Sequence, residues 1–297
     1  MKNRMALICA LALTIAGAGV MGAAADSKAA EVIAAARKAI GDKKLEALKT
    51  LAVEASVQRN VNTMQMASEV EILLELPDKY VRSDVSTGPM PPMTTGFIGD
   101  KAIRPAGAMA MTGGAMVIRM GPGGPMPPAE KPSPEEQERI DKQIVRGARA
   151  DISRLMLGWF AAAHPALNVE FTYAGEAASP DGKADVIDAK NADGFSARLF
   201  IDRETHLPLM LTYRGPQPRM ITAGGPGGSG GAVRMPQGGD RPEMTDFTLY
   251  FDDWRDAGGG IRFPHRIRRA SGGTTSEEWT IGKVKVNPKI DPKKFEG

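Results

Sequence analysis

A two-residue alternation of apolar and polar positions runs through most of this chain. In "MASEVEILLEL", Met66, Ser68, Val70, Ile72, Leu74 and Leu76 share one phase, and Glu69, Glu71 and Glu75 hold the other. That period belongs to a strand with one buried face. It returns in Val169, Phe171 and Tyr173, in Phe195, Ala197, Leu199 and Ile201, in Leu207, Leu209 and Leu211, and in Phe247, Leu249 and Phe251. "LPDKY" and "FIDRETHLPL" supply polar turns between strands. In "EEWTIGKVKV" the phase flips beside Gly282, with Trp279 and Ile281 on one side of it and Val284 and Val286 on the other. The flip predicts a β-bulge, which bends a curved sheet.

Two segments change to the helical period. "SKAAEVIAAARKAIG" offers Ser27 as N-cap, alanine-rich periodicity and Gly41 as a stop. "SPEEQERIDKQIVRGARADISRLMLGWFAAAHP" carries the stronger signals. Ser133 caps, Pro134 takes the first helical position and Glu136 completes a capping box. Ile140, Ile144, Ala148, Ile152, Leu155 and Trp159 form one apolar stripe, Gly147 is a point where the helix could divide, and His164-Pro165 ends it. A helix, then strands, then a long helix, then many strands on short connections predicts an α+β fold. Its core is a large curved antiparallel sheet, an incomplete β-barrel, wrapped around helices.

Composition qualifies this picture at three places. "STGPMPPMTTG" (86–96), residues 104–134 and residues 214–242 are rich in Gly, Pro and Met and read as loop insertions. The opening "MKNRMALICALALTIAGAGVMGAAADS" has Lys2 and Arg4, an apolar run and Ala23-Ala24-Ala25, the layout of a cleaved signal peptide over residues 1–25. The expectation is export, to the periplasm or beyond, of a single domain spanning 26–297. Cys9 lies inside the signal, so the mature chain has no thiol chemistry and no disulfide. Without Lys2 and Arg4 the 38 basic residues fall to 36, against 35 acidic. That balance argues against nucleic acid as a partner. No later stretch is long and apolar enough to span a membrane as a helix.

The busiest stretch for chemistry is "LYFDDWRDAGGGIRFPHRIRR", Leu249 to Arg269. Strand alternation turns Asp252 and Asp253 to opposite faces, so they do not form a carboxylate pair. With "DAGGG" as a five-residue loop, Trp254 stands opposite Arg262 and Tyr250 opposite Arg266, as outward aromatic–guanidinium pairs. The arginines are placed mostly outside, and His265 shares the phase of the apolar residues as a core or rim histidine. His164 and His206 sit at a helix end and in a turn, without metal-ligand spacing. No nucleophile elbow, phosphate loop or dinucleotide fingerprint is present, and the chain does not read as an enzyme or as needing a cofactor. Met90, Met93, Met109, Met111, Met116 and Met120 cluster in and beside the insertions. Thioethers suit Cu(I), so a Met-loop copper binder is one reading.

The order of several phrases resembles the LolA/LppX-like superfamily of periplasmic lipoprotein carriers, as a divergent member. They are "LELPDKYVRSDV", "LFIDRETHLPLMLTY", the "FDDWRDAGGGIRFPHRI" hairpin and the closing "VKVNPKIDPKKF", together spanning most of Glu69–Phe295. The resemblance implies an unclosed antiparallel barrel with an apolar cavity under helices, which holds a lipid or lipoprotein acyl chain non-covalently. Val70, Ile72, Leu74, Phe171, Leu199, Ile201, Leu209, Leu211, Phe247, Leu249 and Phe251 are then the wall. Ile144, Ile152, Leu155 and Trp159 are the lid or plug. The same residues would serve as plain core in a cell-envelope interaction module with a protein partner. "NPKIDPKKF" reads as a tail that packs Phe295 onto the sheet.

Overall fold

The computed structural model describes residues 22–61, 64–87, 92–104, 111–112, 115–118, 133–180, 182–217, 219–222 and 243–295. The chain opens with α1 (Gly22–Ile40) and the single turn α2 (Lys43–Glu46). Five strands follow: β1 (Thr50–Val61), β2 (Met64–Glu75), β3 (Lys79–Ser86), β4 (Met93–Ile98) and β5 (Lys101–Ile103). Two short strands, β6 (Met111–Thr112) and β7 (Ala115–Ile118), precede the long helix α3 (Pro134–Phe160). The second half contains β8 (Glu170–Ser179), β9 (Gly182–Lys190), β10 (Ser196–Asp202), β11 (Pro208–Pro216), β12 (Arg219–Thr222), β13 (Met244–Asp256), β14 (Arg262–Ser271) and β15 (Thr274–Val286).

Twelve strands form one antiparallel sheet in the order β5-β4-β3-β2-β1-β15-β14-β13-β11-β10-β9-β8. Almost every neighbour is also a chain neighbour, as hairpins require. The exceptions are β11 with β13, since the intervening β12 lies in another sheet, and β1 with β15, which sews the two halves together. The sheet stays open, with β5 and β8 as its edges. The predicted bulge is present: Glu54 pairs Lys283 and Ala55 pairs Ile281, which leaves Gly282 as the extra residue. Trp279, Ile281, Val284 and Val286 therefore line one face despite their change of phase.

That face is concave and α3 lies in it. Arg149 donates to the Gly99 carbonyl and stacks on Phe97 of β4. Five residues on, Arg154 lies over Tyr213 of β11. A helix touches strands this far apart in the sheet only if the sheet curves round it. Ala29, Val32, Ala36 and Ile40 of α1 join the same core. On the outer face, among the described residues, Ala184, Val186 and Phe200 form one apolar cluster, and Ala52, Leu73, Val81 and Ile103 bury Phe295 of the tail. This explains why Leu73, out of phase with Ile72 and Leu74, is also apolar.

Several local expectations need correction. Ser133 caps α3 by accepting from the Glu136 N–H at 3.2 Å, as expected. The helix then runs unbroken through Gly147 and stops at Phe160, before His164-Pro165, because Ala161 turns left-handed at φ 49°. Gly41 ends α1, yet the left-handed residue is Asp42. The Gly/Pro/Met-rich tracts are not loops throughout. Met93–Gly96 belongs to β4, and β6, β7 and β12 from the second and third tracts form a separate three-stranded sheet. The hairpin loop has five residues but starts one later, at Ala257, so Trp254 faces Pro264 and Tyr250 faces Arg268. Ile261 is buried in the loop rather than extended in the strand, and its carbonyl accepts from Ala257.

Candidate functional site

Strand register carries one apolar surface across the concave face. Leu74 pairs Leu51, Ile72 pairs Val53 and Val70 pairs Ala55. On the other half Leu199 pairs Leu211, Leu211 pairs Leu249 and Phe251 pairs Ile267. All of these are buried, as are Ile201 and Phe247. Ile152, Leu155 and Trp159 of α3 are buried against them in the same cluster. Trp159 meets Phe263 at 5.0 Å between ring centroids. A Cβ added at Gly158 would stand 1.9 Å from the Phe251 ring, so only glycine lets the helix seat this deeply. The structure therefore brings wall and plug together, and the helix fills the space between them.

Two expected positions fall outside this arrangement, and a third, Phe171, sits at its margin. Leu209 is 41% exposed, because the β10–β11 register shifts between Phe200 and Ile201. Ile201 then pairs Pro208 and Phe200 pairs Met210, so Leu209 is the extra residue. Ile144 is only half buried, and its neighbour Val145 takes the core position. Phe171 is half buried on the edge strand β8, where it lines an open hollow with Ala30, Ile33 and Arg37 of α1.

One end of the concave face is polar, which the apolar alternation did not announce. Ser68, Arg82, Asp84, Arg59, Glu277 and Arg269 stand in the inward register positions of β2, β3, β1, β15 and β14. Arg59 reaches Asp84 at 2.5 Å, Ser68 at 2.7 Å and Glu277 at 3.6 Å. Arg82 pairs with Asp84 at 2.8 Å and stacks over Trp279 at 4.7 Å. The Trp279 indole N–H donates to Glu277. Burial works against the charge on Arg82, but Asp84 and Glu277 outweigh it and its pKa rises. Burial likewise opposes ionised Asp84, and the two arginines hold its carboxyl below the usual range. A sequence signal existed: Arg82 shares the phase of Tyr80, Glu277 that of Trp279, and Arg269 that of Phe263 and Ile267.

The remaining candidates do not assemble into chemistry. Asp252 pairs with Arg268 and Asp253 with Arg255, both at exposed positions. His265 is a half-buried rim residue with Nδ1 3.0 Å from the Phe263 carbonyl. His164 is buried edge-on to Phe97, its Nδ1 accepts from Ala166, and burial pushes its pKa down to about 4. Among the described residues no group of three His, Cys, Asp or Glu could hold a metal, and no helix is long and apolar enough to cross a membrane. Met90, Met109 and Met120 lie outside the described residues; Met111 and Met116 pair across β6 and β7, and Met93 begins β4.

This open curved antiparallel sheet with a helix in its concavity is similar in fold to a solved LolA superfamily protein. A LolA superfamily protein from Nitrosomonas europaea superposes with a TM-score of 0.50 at 10% identity, covering 90% of this chain and 96% of its own. A domain named for outer membrane lipoprotein sorting from Vibrio parahaemolyticus gives 0.45 at 10% identity, over 91% and 97% of the two chains. A DUF1329 family protein from Desulfovibrio piger gives 0.45 at 8%, over 90% and 96%. No family model and no curated protein matches the sequence.

Proposed function

We propose that this protein is an exported, periplasmic carrier that shelters a lipid or lipoprotein acyl chain against the concave wall, with α3 as the plug that the chain displaces. The observation that supports this reading is the nature of the cover. Among the described residues the apolar wall from Val70 to Phe251 is covered by helices, chiefly α3. A helix on an open half-barrel can be moved without breaking a single strand pairing.

Magnitudes set what could displace it. Exposing Val145, Ile152, Leu155, Met156, Leu157, Trp159 and Phe160, the large apolar side chains that α3 buries, costs roughly 10–21 kcal/mol at about 1.5–3 kcal/mol each. An acyl chain gains about 0.8 kcal/mol per buried methylene. A chain of about sixteen carbons gains roughly 13 kcal/mol and reaches the lower end of that cost, whereas about eight carbons gains roughly 6 and falls short of it. Palmitate should therefore quench Trp159 fluorescence and displace a bound fluorescent fatty acid, and octanoate should do neither. Equal behaviour of the two, or no uptake of either, would count against the plug.

The depth of the Gly158–Phe251 contact favours a second reading. A core packed this closely also suits an envelope interaction module that binds a protein partner and holds no lipid. The same titration separates the two, since the module takes up no chain of any length.

A further inference from the structure

We propose that Arg154, Arg269 and the ring pair Tyr213–Phe247 form a site for an oxyanion, with a phosphate as the type, at the polar end of the concave wall. This rests on the carrier reading: the anion would be the headgroup of an amphiphile that meets the cradle while α3 is still seated, its chain then entering along Leu249, Leu211 and Phe251.

The geometry is that of a cation–aromatic cradle. Tyr213 and Phe247 stack with centroids 5.2 Å apart and planes 22° apart. The Arg269 guanidinium lies 4.3 Å from the Phe247 ring and 6.0 Å from Tyr213, so it sits in the angle beside both rings. Arg154, from α3, lies 4.2 Å from the Tyr213 ring. Two guanidiniums, one from the sheet and one from the plug, thus converge on one aromatic pair. Gly215, beside them, makes room: a Cβ there would stand 3.2 Å from Tyr213 and 3.4 Å from Phe247.

The local charge is not balanced from within. Glu277 pairs directly across from Arg269, but its carboxylate is engaged by the Trp279 indole, by Arg59 at 3.6 Å and by Arg82 at 3.8 Å. Among the described residues Arg269 has no carboxylate within 4.0 Å, and its Nε is buried without a hydrogen-bond acceptor. The Nε of Arg154 is in the same condition. Its acid, Asp151 at 2.7 Å, is one turn away on the same helix and 71% exposed. The Arg154 side chain is 16% exposed, so the solvated Asp151 carboxylate screens only one side of it and a ligand anion can compete for the guanidinium. Arg154, Arg269 and Tyr213 are each only partly buried, so solvent reaches the cradle. Forked guanidinium donors match tetrahedral oxyanions, and aromatic faces hold the forks in place.

The test compares three probes by calorimetry: dodecyl phosphate, dodecyl maltoside and inorganic phosphate. The wild type is expected to bind dodecyl phosphate at least about tenfold more tightly than the maltoside, the scale of one charge-assisted hydrogen bond. Arg154→Gln and Arg269→Gln should each abolish that preference and keep the affinity for the maltoside. The exposed Arg262→Gln should change nothing. Arg269→Lys, which keeps the charge, checks the site if the glutamine variant fails to fold. Competition by inorganic phosphate would make a free anion sufficient; its absence would assign the site to a chain-bearing headgroup. Equal affinity for the two amphiphiles, or a preference that survives both substitutions, overturns the cradle and leaves acyl carriage standing. If neither amphiphile binds, the carrier reading fails, and phosphate binding lost on Arg269→Gln would then support the cradle by itself; no phosphate binding would sink both.

Discussion

At Gly158 a missing side chain decides how deep α3 sits, because Phe251 occupies the place a Cβ would take. Gly158→Ala should destabilise the protein by roughly 1–3 kcal/mol, the usual scale for overpacking, and lower the melting temperature by several degrees. It should also tighten acyl binding, since it loosens the plug and leaves the wall intact. A thermal melt paired with a fatty-acid titration reads both, and weaker uptake in the variant would contradict the displacement account. His164 provides a pH signature. Burial holds the folded imidazole near pKa 4, against 6.5 when unfolded. Between those values the unfolded chain takes a proton that the folded chain refuses, so stability falls as pH drops from about 6.5 towards 4. The loss attributable to this residue is up to roughly 3 kcal/mol. Denaturant midpoints at pH 7.5 and 4.5 should fall further in the wild type than in His164→Gln, and parallel falls would remove His164 from the explanation.

The elements show how local rules succeed and where they run out. Asp42 closes α1 at φ 52° and ψ −132°, a region suited to glycine. Asp42→Gly should therefore stabilise by about 1 kcal/mol, measurable as a raised denaturant midpoint. The strands were legible because alternation reports one buried face directly, and the bulge at Gly282 was legible because it left a phase flip behind. Leu209 misled because its bulge falls between apolar residues, Leu207 to Leu211, where either phase looks alike. The hairpin slipped by one residue because Ile261 is apolar for the core of the loop and was counted with the strand. The small sheet of β6, β7 and β12 was hidden because its strands are two to four residues long and lie in Gly- and Pro-rich sequence. Charged residues in inward phase were the overlooked signal. Arg82, Glu277 and Arg269 each continue an apolar face; for Arg82 and Glu277, pairing with Arg59 and Asp84 is what makes burial tolerable.

On the scale of the whole molecule, the sheet, the plug and the polar rim amount to an amphipathic trough. Its wall is apolar from Leu74 to Phe251, and its rim is cationic and aromatic. A greasy chain with a charged end matches that layout along its length. The central claim is that this trough carries such a molecule. The most direct measurement is native mass spectrometry of the mature protein purified gently from its own cell envelope, followed by lipid extraction. The account predicts a stoichiometric adduct that resolves into an acylated, anionic species. A clean unliganded mass, with no uptake of an added long-chain fatty acid, would contradict it and move the protein to the filled-core interaction module.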